Sequence, residues 1–149
     1  GCKRVVVADI RDDRLEWAKK MGADQVINTK TEVIPENTFD FGYEATGADI
    51  CCNFAVKCIK PGGRIAMIGM GAQFQKVALV DYVCKEISII PSFRYSNTYP
   101  TALELLLDNK ERLMQLITHR IPFSLAGVDK AFHIAAEDHS AVKVVVEFN

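Results

Sequence analysis

Arg4-Val5-Val6-Val7-Ala8-Asp9 is the stretch whose reading decides the fold. Consecutive valines favour extended backbone, because branching at Cβ packs well on a pleated surface. The run therefore predicts a strand that delivers the Asp9 carboxylate to its C-terminal tip. In an open α/β sheet that binds a dinucleotide, such a carboxylate takes the ribose hydroxyls of the adenosine half, about 20 residues after a glycine-rich turn. Only eight residues precede Asp9. The expectation is thus a domain whose first strand and helix lie upstream of Gly1, the alternative being an accidental match.

Working outward, strands and helices alternate. Asp13-Arg14-Leu15-Glu16 has the form of a capping box, with Asp13 as the cap of a helix that carries Leu15, Ala18 and Met21 at helical spacing. Lys19 and Lys20 suit its last turn and Gly22 a left-handed cap. Asp24–Asn28 reads as a second strand, and Phe39–Ala45 as a third that ends in Thr46-Gly47. Asp49 can cap a helix whose apolar positions are Ile50, Cys51, Phe54, Ala55, Cys58 and Ile59. Pro61-Gly62-Gly63 stops that helix, and Arg64–Met70 forms a fourth strand. A helix over 79–85, a strand over 87–91 and a helix opened by Thr98 with Pro100 follow. After about Leu116 the character changes to a short strand (119–123), a helix (128–136) and an alternating strand (142–148). Such alternation predicts a parallel sheet flanked by helices.

The totals fit one soluble α/β unit. In 149 residues, 25% are charged and 49% apolar, against disorder. A net charge of −1 gives nucleic acid or an anionic membrane no electrostatic hold, so neither is expected as a partner. No apolar run approaches the roughly 18 residues of a membrane span. The five cysteines (Cys2, Cys51, Cys52, Cys58, Cys84) include no Cys-x-x-Cys pair, which suits reduced thiols and a cytoplasmic setting. Cys51 and Cys58 fall on the apolar helix face, and His119, His133 and His139 are scattered, so no metal site and no catalytic residue is expected within the chain.

Several residues carry recognition chemistry. Asp9 can accept both ribose hydroxyl protons and repels a 2′-phosphate. Like charges ~4 Å apart cost on the order of 4 kcal/mol at an effective dielectric near 20, which favours NAD over NADP. The competing reading is an acid that merely ends a strand. Arg14 can lie beside the same ribose with Arg11 close by. These guanidiniums pull the other way, since they could accommodate a 2′-phosphate. The turns Glu44-Ala45-Thr46-Gly47 and Ile68-Gly69-Met70-Gly71 both follow strands, where ligands of parallel sheets bind and glycine lets the backbone approach. Ser92-Phe93-Arg94-Tyr95 can offer a guanidinium and a phenol to a hydroxyl-rich ligand, or be a surface cluster with Phe93 packed inward.

Taken in order, these motifs resemble the medium-chain, zinc-dependent alcohol dehydrogenase superfamily, most closely its polyol branch (sorbitol or xylitol dehydrogenase). The matching stretches run from Val5–Asp9 with Arg14-Leu15 and Met21–Asp24 through Glu44–Gly47, Pro61–Arg64 and Ile68–Gly71. They continue with Ser92-Phe93-Arg94-Tyr95-Ser96-Asn97-Thr98-Tyr99-Pro100 and Ile117–Arg120, and cover nearly the whole chain. The phenylalanine-arginine-tyrosine stretch points to the polyol branch in particular.

The resemblance implies that Asp9 and Arg14 hold the adenosine ribose. Ile68, Gly69 and Met70 would border the nicotinamide side, Ser92, Phe93 and Arg94 would contact the cofactor, and Arg94 and Tyr95 would reach a small-molecule polyol. It implies a Rossmann-type parallel sheet lacking its first strand and helix, with residues 1–118 a partial NAD-binding domain. Residues 119–149 would be a C-terminal segment that returns to a catalytic domain. The family's zinc ligands, proton-relay groups and phosphate turn would all lie upstream of Gly1.

The parent would be a homo-oligomer that oxidises a secondary alcohol of a sugar alcohol to a ketose with NAD and zinc. The isolated chain is expected to be inactive and marginally stable, because loss of a central first strand separates strands 2 and 3 from strands 4 to 6. Two alternatives stay open. One is a non-catalytic module that senses NAD; the other is a related oxidoreductase such as a threonine dehydrogenase or quinone reductase.

Overall fold

A computed structural model describes residues 1–148; the last residue of the expected C-terminal segment, Asn149, lies outside the described residues. Every strand pairing is parallel, but the expected sheet is present as three separate ladders. The chain divides into two compact units, Gly1–Asn28 with Asn97–Asn149, and Thr29–Ser96.

In the first unit the valine run forms strand β1 (Val6–Asp9), which pairs with β2 (Gln25–Asn28) in the register Val6↔Gln25 to Asp9↔Asn28. The crossover is helix α1 (Asp12–Lys20), whose Leu15 is buried, as is Ile27 on β2. Two acids in its first turn and two lysines in its last complement the helix dipole, and Gly22 follows the C-cap at φ +100. Asp13 is not the cap. Arg11 holds that position, with its N–H given to Asp9 Oδ1 at 2.9 Å, and Asp13 sits one turn-position inside the helix against the Arg11 side chain. A carboxylate two residues back on the strand tip thus starts the helix as an Asx turn does.

The same unit holds the last third of the chain, from Asn97, whose strands and last helix carry the sequence-order labels β6, α6 and β7 once the other unit is counted. Here Ile117–Pro122 pairs with Lys143–Glu147, joined by the helix Leu125–Glu137. Ser124 caps that helix, accepting the Gly127 N–H at 2.9 Å. Before them, Tyr99–Asp108 (α4) has Thr98 at its N-cap and Pro100 in its first turn, as expected. A four-residue helix Lys110–Leu113 (α5) and a 3₁₀ turn follow it.

In the second unit, β3 (Phe39–Glu44), β4 (Ile59–Met67) and β5 (Ser88–Pro91) form a parallel ladder in that order, linked by α2 (Asp49–Cys58) and α3 (Leu79–Cys84). Val56, Ile59, Ile65, Tyr82 and Ile87 make its core, with Phe39, Ala55, Met67 and Val77 packed against it. Three expectations are corrected. First, the buried positions of α2 are Cys52, Val56 and Cys58, whereas Ile50 and Phe54 are exposed and Cys51 half-buried. Apolar residues occupy so many positions of this helix that spacing alone selects no face; Tyr82 does, since its hydroxyl donates to the Cys52 carbonyl at 2.8 Å.

Second, β4 begins at Ile59, before Pro61-Gly62-Gly63, and ends at Met67 rather than Met70. The glycines sit in a bulge where pairing jumps from Phe39↔Ile59 to Phe41↔Arg64. Third, Asp49 is not a cap either. It lies in the first turn of α2 behind Ala48 and accepts the Lys76 N–H at 3.0 Å.

Candidate functional site

The candidate residues lie at strand tips in both units. At the tip of β1, Asp9 Oδ1 is engaged by the Arg11 N–H at 2.9 Å, and the carboxylate is only partly exposed. The Arg11 guanidinium feels the Asp9 charge but gives its hydrogen bonds elsewhere. Its Nε donates to Asp13 Oδ1 at 3.0 Å and one terminal nitrogen to Asp13 Oδ2. That nitrogen also reaches the His139 carbonyl at 2.7 Å, and the other lies 3.4 Å from His139 Nδ1. The pairing holds the Asp13 carboxyl below the usual carboxylate range and raises Arg11 further. Arg14 donates to the Ala141 carbonyl at 2.9 Å.

Both arginines therefore run into one turn, residues 138–141. That turn is itself built from side chains. Asp138 Oδ1 accepts the Ser140 N–H at 2.7 Å and hydroxyl at 2.6 Å, and His119 Nε2 lies 3.5 Å from Asp138 Oδ2. Thr118 Oγ1 accepts the Val142 N–H at 3.0 Å. On the other side of the tip, Asn28 donates to Asp12 Oδ1 at 2.6 Å.

At the tips of β3 and β4 the chemistry is different. Glu44 is 3% exposed, the one buried charged residue among the described residues. Its Oε1 accepts the Thr46 N–H at 2.8 Å and the Thr46 hydroxyl, and Oε2 accepts the Gly47 N–H at 2.9 Å. The Glu44 carbonyl takes the N–H groups of Ile68 and Gly69 at 2.8 and 3.0 Å, which locks one glycine turn to the other. The two turns touch backbone to backbone. A Cβ on Gly71 would lie 1.8 Å from the Gly47 carbonyl oxygen, and one on Gly69 2.1 Å from Gly47 N. Gln75 closes the arrangement, donating to the Gly47 carbonyl at 2.6 Å.

Beyond β5, the Ser92 N–H continues the ladder to the Met67 carbonyl at 2.9 Å. Phe93 does not pack inward: it is 70% exposed, with the Arg94 guanidinium 5.0 Å from its ring centre. Arg94 adopts φ 57, a left-handed conformation that a non-glycine residue holds at a cost of about 1–3 kcal/mol, as residues at ligand sites often do. Ser92, Arg94 and Tyr95 are exposed beside it.

The structure thus brings Ile68, Gly69 and Met70 against the Thr46-Gly47 turn, and Asp9 and Arg14 to one end of α1. Gln75 and the 138–141 turn carry no role in the sequence reading, Asp13 only that of a helix cap, and Glu44 only a place in a turn motif. Glu44 was visible as the acid opening a strand-turn motif, but only folding shows that its oxygens turn inward. Among the described residues, no three His, Cys, Asp or Glu side chains gather as a metal site, and no helix is long and apolar enough to cross a membrane. Burial raises the Cys52 and Cys58 thiols above their ordinary pKa, so both stay protonated at neutral pH as core residues.

Parallel ladders with helical crossovers and glycine turns at the strand tips define a Rossmann-type α/β fold, and comparison with known proteins places it. Residues 1–108 match the zinc-binding dehydrogenase family model, and the chain belongs to that family. It is 31% identical to L-idonate 5-dehydrogenase of Vitis vinifera, over 97% of this chain and 43% of that protein. It is also 31% identical to sorbitol dehydrogenase of Arabidopsis thaliana, over 95% and 42%. The solved structure of Escherichia coli L-idonate 5-dehydrogenase superposes with a TM-score of 0.90 at 26% identity, over 99% of this chain and 44% of that one. An E. coli CFT073 alcohol dehydrogenase complexed with NADH superposes at 0.83 and 29% identity, over 98% and 45%. The chain spans a little over two fifths of the length of the curated relatives it matches. These likenesses bear out the Rossmann-type α/β expectation.

Proposed function

We propose that this chain is the C-terminal, cofactor-side part of an NAD-dependent, zinc-containing polyol dehydrogenase. The whole enzyme oxidises a secondary alcohol of a sugar alcohol to a ketose. The observation that carries the reading is the tip of β1: a partly buried carboxylate with one oxygen fixed by the backbone, while the hydrogen bonds of Arg11 and Arg14 go to Asp13 and to the 138–141 turn. Asp9 then receives the 2′- and 3′-hydroxyls of the adenosine ribose, with Arg14 along the same edge. Ile68, Gly69 and Met70 border the nicotinamide, and Ser92, Phe93 and Arg94 contact the cofactor. Arg94 and Tyr95 face the polyol. Residues 1–118 serve as the NAD-binding portion and 119–149 as the segment that joins a catalytic domain.

Bound NAD supplies the hydride acceptor. This chain's own residues supply position: Glu44 and Gln75 fix the turn that the cofactor borders, and the glycines let the two turns pack backbone against backbone. Zinc, when bound in the whole enzyme, would polarise the alcohol oxygen; the described residues of this chain do not form a set to hold it. We also propose a cytoplasmic homo-oligomer, a reading supported by cysteines that form no disulfide among the described residues.

The test is NAD reduction by the protein expressed from its complete coding sequence, with sorbitol, xylitol, L-idonate and L-threonine. Turnover of a polyol or polyol acid is expected. NAD binding without turnover of any alcohol would favour the sensing module, and preference for threonine the related dehydrogenase.

A further inference from the structure

The two arginines nearest Asp9 pose a question of charge. A guanidinium beside an adenosine ribose welcomes a 2′-phosphate, so Arg11 and Arg14 would suit NADP if they were available. The hydrogen bonds show where they go. Arg11 meets both oxygens of Asp13 and the carbonyl and ring of His139, which engages its Nε and both terminal nitrogens. Arg14 is held by the Ala141 carbonyl. The wall that receives them is fixed from behind by Asp138 with Ser140, by His119 and by Thr118.

Resting on the cofactor reading above, we propose that Asp13 is a specificity-determining residue for the dinucleotide. It touches neither ribose nor phosphate. By pairing with Arg11 and holding it against the 138–141 turn, it leaves Asp9 as the dominant charge at the tip of β1 and makes the subsite one for an unphosphorylated ribose. Asp13 is thus a positioning residue that acts through Arg11, and its neutralisation converts Arg11 into a partner for the 2′-phosphate. The side chains lie at 32% and 50% exposure, so Arg11 can swing once released without unpacking a core. A loop carbonyl alone holds a guanidinium less firmly than a bidentate carboxylate does.

The experiment measures Kd for NAD and NADP by titration calorimetry, using the protein expressed from its complete coding sequence. The variants are Asp13→Ala, Asp13→Asn and the double variant Arg11→Ala/Asp13→Ala. The expected result is a narrowing of the NADP-to-NAD Kd ratio by about tenfold in both single variants, the scale of one charge-assisted hydrogen bond. The narrowing should come from tighter NADP and fade at high salt. The double variant should return the ratio to the wild-type value, a rescue that a merely structural role of Asp13 would not produce.

A ratio unmoved in folded Asp13→Asn, or a shift that persists in the double variant, would overturn the inference and leave the cofactor reading standing. Failure of the wild-type protein to bind NAD would overturn the cofactor reading and this inference with it. Asp13→Asn preserves the shape and helix position of the side chain, so it keeps the test open should Asp13→Ala fail to fold.

Discussion

The tip of β1 and the tips of β3 and β4 solve the same problem with opposite materials. At β1 the ends of the chain are held by half-exposed charged side chains: Asp9, Arg11, Asp13 and Arg14, closed by the 138–141 turn. At β3 and β4 the hold is backbone on backbone, with a buried carboxylate as the pin. Exposed ion pairs contribute roughly 0–1 kcal/mol each, whereas buried charge-assisted bonds and close backbone contacts cannot be lost cheaply. The difference teaches that the second tip is built for stability, while the first can change its charges at little structural cost, as the ligand choice proposed for it requires. Substitutions should separate the two properties accordingly.

The largest effect should come from Gly71→Ala. Its methyl group would sit 1.8 Å from a carbonyl oxygen that belongs to backbone and cannot rotate away. A loss of about 3 kcal/mol or more in urea unfolding is expected. Next is Glu44→Gln, which puts an amide NH₂ where an oxygen now accepts the Gly47 or Thr46 N–H. That donor-against-donor contact should cost about 2–3 kcal/mol in the same measurement.

Tyr82 adds a pH signature to the second unit. Burial pushes its hydroxyl up to about 12 from 10.0, so the folded state keeps a proton that the unfolded chain loses sooner. The sign follows from that order. Stability from this group is fully present below pH 10 and falls as pH rises towards 12, by roughly 2 kcal/mol. Tyr82→Phe should flatten this part of an alkaline unfolding profile, at the cost of the bond to the Cys52 carbonyl. The smallest stability effect should be Arg14→Ala, which removes one side-chain bond to a partly exposed carbonyl. About 1 kcal/mol or less is expected in thermal unfolding. A loss as large as that of Glu44→Gln would erase the contrast.

Much of this was legible in the residues. The valine run before Asp9, the crossover helix ended at Gly22 and the glycine turns after two strands carry local signals strong enough to survive folding. The positions that misled are those where two local rules compete. Asp13 satisfies a capping pattern, but Asp9 already starts the helix through Arg11. In α2, too many apolar residues leave the face to be chosen by Tyr82. Pro61-Gly62-Gly63 reads as a stop, yet the strand begins before it because a bulge absorbs the extra residues. The 138–141 turn could not be read at all, since its contact with Arg11 spans 128 positions of sequence.

The most direct test is titration of NAD into the protein expressed from its complete coding sequence and into its Asp9→Asn variant. Asparagine can still accept the Arg11 N–H through its carbonyl oxygen, but it presents an NH₂ to the ribose hydroxyls in place of a second acceptor. The expected result is NAD binding weakened by about tenfold with unfolding midpoints nearly unchanged. Equal NAD affinity in the two folded proteins would contradict the assignment of the β1 tip as the ribose site.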